Sequence, residues 1–160
     1  MNGIAHFFLT YFVLSFFVYD LQKFVIPVFI LSIILDIDHI PGLIRELKLS
    51  THHWEGLNAI KNTRWVRTGV EEPIGIITIE AILATLLIYG VHHPLIPIAM
   101  FCIAFHWLVD FLTVNTAPFT PVSRHIVNLF FKTRRSKVTK EVIITLAGGI
   151  LFFLAHTGYF

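Results

Sequence analysis

The sequence predicts an all-α fold, an integral membrane helical bundle of about five transmembrane helices with short interfacial helices, forming one domain over residues 1–160. Three observations predict it. The chain is 56% hydrophobic and only 14% charged, with a mean hydropathy of +0.76. A soluble domain of this length cannot hide that much apolar surface, whereas a bundle in lipid can. The apolar residues fall into five segments, at about 3–19, 24–40, 73–90, 94–114 and 141–159. Finally, eleven of the twelve Lys and Arg lie in two connections, 41–72 and 115–140, the exception being Lys23. Five spans place both connections and the N-terminus on one side, which the positive-inside rule makes cytoplasmic.

The elements follow in order. The segment 3–19 lacks a basic start and an Ala-x-Ala cleavage pattern, so it reads as a retained helix rather than a signal peptide. The second segment runs into Pro41, which restricts the residue before it and marks a helix end. Segments 3–19 and 24–40 are short against the roughly 20 residues that cross a bilayer, so tilt or a polar mouth must accommodate them. Pro73 is well placed to open the third helix. Gly90-Val91-His92-His93-Pro94 is a tight turn between the third and fourth. In the second basic connection Val122, Ile126, Leu129 and Phe130 recur at helical spacing, an interfacial pattern. Gly42 to Leu49 is a shorter candidate, and Trp54 and Trp65 suit headgroup depth. Gly148-Gly149 suits close helix packing. The single Cys102 excludes an internal disulfide and a cysteine-based zinc cage.

Threading the five spans gathers the chemistry-bearing residues at one end. His6 opens the first span; Asp36, Asp38 and His39 close the second; Glu71 and Glu72 precede the third; His106 and Asp110 lie near the end of the fourth. Asp36 and His39 share a helix face at a spacing of three, and His106 and Asp110 at a spacing of four. Taken singly, each has a bland reading: a snorkelling His6, a hydrated helix end at Asp36 to His39, a His–Asp hydrogen bond between helices. Together they make a metal site, because imidazole nitrogen and carboxylate oxygen suit one or two divalent ions, zinc foremost, with manganese and iron as options. The expected ligands are His6, Asp36, Asp38, His39, Glu71, His106 and Asp110. Glu80 lies about 12 Å deeper than Glu72 at 1.5 Å per residue, level with His106, where it would orient that histidine or ligate the metal itself. His92, His93 and His156 fall at the opposite face and read as surface residues.

These motifs resemble the YdjM-like predicted membrane-bound metal-dependent hydrolases. That family shows an early histidine, an Asp-x-Asp-His segment closing a hydrophobic helix, and His-x-x-x-Asp-x-x-Thr near a later helix end. The matching residues are His6, Asp36-Ile37-Asp38-His39, and His106 through Asp110 to Thr113, with prolines following at Pro118 and Pro121. The family's His-Arg-Gly-x-Thr-His segment aligns with Val66-Arg67-Thr68-Gly69-Val70-Glu71, so Arg67 is kept while Val66 and Glu71 replace the two histidines. The resemblance covers roughly His6 to Arg124. Its ligand pattern is similar to that of zinc-dependent phospholipases C and related nucleases, which implies phosphoester hydrolysis.

The leading expectation is therefore a metal-dependent hydrolase at the cytoplasmic membrane surface of a prokaryote, acting on a phospholipid or lipid-linked phosphate. Asp38 or Glu72 would accept a proton, and Arg67, with Arg124 less securely, would hold phosphate by paired hydrogen bonds. The rivals are a non-catalytic protein with a structural metal, a metal or ion transporter, and a bis-histidine haem protein. No nucleic-acid partner is expected, since topology already explains the basic loops. The oligomeric state is not legible.

Overall fold

A computed structural model describes residues 3–35, 73–113 and 134–158. Among these residues all regular structure is helical. The expected interfacial stretches at 42–49 and 122–130, with Trp54 and Trp65, lie outside them. Helix α1 is Gly3–Leu14, α2 Val25–Ile33, α3 Pro73–Ile88, α4 Leu95–Thr113 and α5 Arg134–His156, with a short 3-10 turn at Leu21–Phe24.

Apolarity and helicity part company in the first segment. The apolar run continues to Tyr19, yet α1 stops at Leu14. The Ser15 hydroxyl donates to the Phe12 carbonyl, and the amides of Phe16 and Phe17 bond three residues back, tightening the last turn until it closes. Asp20 then adopts φ 56°, a left-handed conformation that aspartate tolerates, and its carboxylate takes the Lys23 ammonium. Pro27 and Pro97 each occupy the third position of their helices. Amides in a first turn have no intrahelical partner, so proline costs no hydrogen bond there. The Leu95 amide is capped instead by His93 Nδ1, with His93 itself exposed as expected. Helix α5 begins seven residues before the apolar stretch expected at 141, because Arg and Lys are themselves good helix formers.

The helices alternate in direction. The start of α1 meets the end of α4 through His6 and Asp110, and the end of α4 meets the end of α2 through His106 and Ser32. Helices α1 and α5 run parallel, Phe8 facing Gly148 and Gly149 while Tyr11 faces Phe152 and His156. A Cβ on Gly148 would lie 3.2 Å from the Phe8 Cβ, so the glycine pair is what lets these backbones approach. Helix α3 packs on α4 through Ile76, Ile103 and Leu35, flanked by Ile79, Leu83 and Trp107. His156 is not the surface residue its position suggested: Tyr11 hydrogen-bonds its Nδ1 at 3.1 Å and Gln22 donates to its carbonyl.

Among the described residues an apolar core encloses five buried polar or charged side chains, and large apolar side chains also face outward. His6, Thr10, Ser32, His106 and Asp110 are buried, while Ile26, Ile77, Ile143, Leu146, Ile150 and Phe153 face outward. Among the described residues two helices, Leu95–Thr113 and Thr139–His156, are by length and composition apolar enough to cross a membrane. The stretches Gly3–Leu14, Leu21–Ile33 and Pro73–Ile88 are apolar but shorter.

Candidate metal centre

The site is assembled from the ends of three helices. Ser32 lies in the last turn of α2, where carbonyls lack an amide four residues on. One such carbonyl is satisfied by His106 of α4, whose Nδ1–H donates to the Ser32 oxygen at 2.7 Å. That bond fixes the tautomer and leaves Nε2 with the lone pair. Four residues on along α4, Asp110 turns to the same face and brings Oδ2 to 3.7 Å from His106 Nε2. Its other oxygen, Oδ1, accepts a hydrogen bond of 3.0 Å from His6 Nε2–H, across 104 residues of sequence. The His6 ring lies flat on that of His106, centroids 3.8 Å apart and planes 11° from parallel.

The three residues are 0%, 1% and 6% exposed for His6, His106 and Asp110. One ligand atom from each lies within 4.8 Å of the others. Two imidazole nitrogens and one carboxylate oxygen converging at this range form a donor set that can hold a divalent ion. Burial of such groups is expensive unless each is paired. His6 Nδ1 is buried with no hydrogen-bond partner among the described residues, and so is Thr10 Oγ1 one turn along α1. Each such orphan costs about 1–3 kcal/mol.

One turn below the centre the interior changes character. Thr10, Ser32 and Cys102 follow His6 and His106 inward, and four residues deeper come Leu14, Val28 and Ile98. These three are at most 2% exposed and belong to one apolar cluster with Phe7, Tyr11 and Leu21. Among the described residues the interior beneath the centre is thus apolar.

Of the residues expected in the site, the structure brings together His6, His106 and Asp110. Glu80 does not join them. Its Oε1 is buried with no hydrogen-bond partner among the described residues, and it is the Ser32 carbonyl that orients His106. Asp36, Asp38, His39, Arg67, Glu71, Glu72 and Arg124 lie outside the described residues. Sequence reasoning passed over Ser32, which contributes its backbone and so leaves no side-chain signal. It also passed over Thr10, although a hydroxyl one turn from His6 on the same face was there to be read.

Comparison with family models, with curated proteins and with solved structures finds no match.

Proposed function

We propose that this chain is a multi-pass protein of a prokaryotic cytoplasmic membrane and a metal-dependent hydrolase of phosphoester bonds in a lipid or lipid-linked substrate. The observation that carries the reading is the convergence of His6, His106 and Asp110 on one buried point from opposite ends of the sequence. Two histidines and one carboxylate match the three-protein-ligand pattern of catalytic zinc sites, which keep a position for water or substrate. An ion held there would supply Lewis acidity and a water that deprotonates near neutral pH. The chain's own residues would hold the ion, fix His106 through Ser32, and exclude water from below through Leu14, Val28 and Ile98. That apolar layer also disfavours a transporter, which needs polar access from both faces.

Placement of the centre on the cytoplasmic side rests on charge. Arg134, Arg135, Lys137 and Lys140 open α5 at the end of the bundle that carries His6, whereas Lys23 at the other end is already paired with Asp20. Five spans follow if the shorter helices α1, α2 and α3 cross with their flanking residues. Motif resemblance supports the phosphoester substrate and would add Asp36, Asp38, His39 and Glu71 as ligands for a second ion. It would also supply Asp38 or Glu72 as proton acceptor and Arg67 for phosphate.

A second reading, a structural metal that ties α1 to α4, is favoured by the near-complete burial of all three ligands. One assay separates the two. Detergent-purified protein loaded with zinc, manganese or iron is offered a panel of phosphomono- and phosphodiesters, lipid and soluble, with and without chelator. Metal-dependent turnover that disappears in His106→Ala supports the hydrolase. Bound metal without turnover on any substrate leaves the structural reading standing in its place.

A further inference from the structure

Among the described residues five threonine hydroxyls share a pattern that Thr10 does not. Thr78, Thr85, Thr113, Thr145 and Thr157 each donate to the carbonyl four residues back. In an apolar surround that bond is the simplest way to satisfy a hydroxyl. Thr10 is completely buried, and its Oγ1 makes no such bond and has no other hydrogen-bond partner among the described residues. One turn toward the start of α1, on the same face, His6 Nδ1 is in the same condition.

The two orphans fit together once His6 ligates a metal. In the structure His6 Nε2 carries the proton, which it donates to Asp110 Oδ1 at 3.0 Å. Ligation needs the Nε2 lone pair. The Nε2–H bond breaks and gives its proton to solvent, an Nδ1–H bond forms with a proton taken from solvent, and the ring stays neutral. A buried Nδ1–H then requires an acceptor. His106 already has one in the Ser32 carbonyl.

We propose that Thr10 is the corresponding positioning residue for His6, its hydroxyl oxygen accepting the Nδ1–H when Nε2 binds the metal. The four-residue spacing separates the two Cα atoms by about 6 Å along the axis, a span closed by side-chain rotation or by one buried water. The inference rests on the metal centre proposed above and goes beyond it by assigning an outer residue that no ligand pattern contains.

The test is a zinc competition titration against a chelating dye, using stripped protein in detergent: wild type, Thr10→Val, Thr10→Ser and His6→Ala. Thr10→Val keeps the shape and removes the acceptor; loss of such an outer partner weakens metal binding by about 10- to 100-fold. Thr10→Ser restores the acceptor and should bind close to wild type. Thermal unfolding of the stripped Thr10→Val protein should be unchanged or raised, because an unpartnered hydroxyl has gone, whereas a merely structural Thr10 would lower it. Should Thr10→Val fail to fold, Thr10→Ala carries the same affinity prediction. Zinc bound by wild type and Thr10→Val with equal affinity would overturn the assignment alone, as would equal weakening in the Val and Ser variants. A wild type that binds no zinc would overturn the metal centre and this inference together.

Discussion

Asp110 is where the two histidines converge, and its two oxygens do different work. Oδ1 accepts the hydrogen bond from His6 Nε2–H and Oδ2 faces His106. Asp110→Asn keeps the volume but replaces an anionic oxygen donor for a divalent ion with a weaker, neutral amide donor. It should lower metal content sharply while leaving the protein helical, as read by elemental analysis beside circular dichroism. Glu80→Gln should leave metal content at the wild-type level, because Glu80 stands outside the cluster; a loss there would return Glu80 to the ligand set. At the far end of the bundle Tyr11→Phe removes the bond to His156 Nδ1 and should cost about 0.5–1.5 kcal/mol of stability in a denaturation titration. His6, His106 and Asp110 were legible in the sequence because each is an ionisable type placed by topology at one end. Thr10 was legible at four residues from His6 but was passed over, whereas Ser32 and His156 were not legible. Ser32 acts through its carbonyl, and the partner of His156 lies 145 residues away on a helix with no shared spacing.

Among the elements, α4 is the best foretold, its observed bounds of Leu95–Thr113 lying just inside the apolar run 94–114. Length and uniform apolarity leave such a segment no alternative but a helix. The first segment shows where that logic fails. Hydropathy does not see that Ser15 can take a carbonyl from the helix or that Asp20 can turn the chain left-handed, so α1 is five residues shorter than its apolar run to Tyr19. The Gly148-Gly149 pair was readable as a close-packing signal, though not its partner. That partner is Phe8, and the gap is too narrow for a side chain. Gly148→Leu should therefore force α5 away from α1, costing about 1–3 kcal/mol. The measurement is thermal unfolding in detergent, and an unchanged transition would mean that the two helices do not approach as described.

Across the described residues, buried polar side chains together with outward-facing apolar ones are what a bilayer would explain. The proposed orientation is testable with one introduced cysteine. Cys102, the native thiol, is buried and should be silent to a membrane-impermeant maleimide. Tyr19, 92% exposed in the turn remote from the metal centre, should become reactive from outside intact cells as Tyr19→Cys. Labelling that needs permeabilised cells would put the remote turn in the cytoplasm and reverse the orientation. The alternation of helices was legible from apolar segments and charge, but convergence on one point was not. It depends on which faces α1, α2 and α4 turn inward, and weakly amphipathic helices do not announce that.

The central claim is that His6, His106 and Asp110 hold a metal, and the most direct measurement is the elemental content of detergent-purified protein. Wild type should be compared with His6→Ala and His106→Ala, each shown to be folded. The account predicts about one or two equivalents of zinc, manganese or iron in wild type and a clear loss in both variants. Wild type without metal after reconstitution, or variants that keep the full complement, would contradict it and leave the three residues as a hydrogen-bonded polar core.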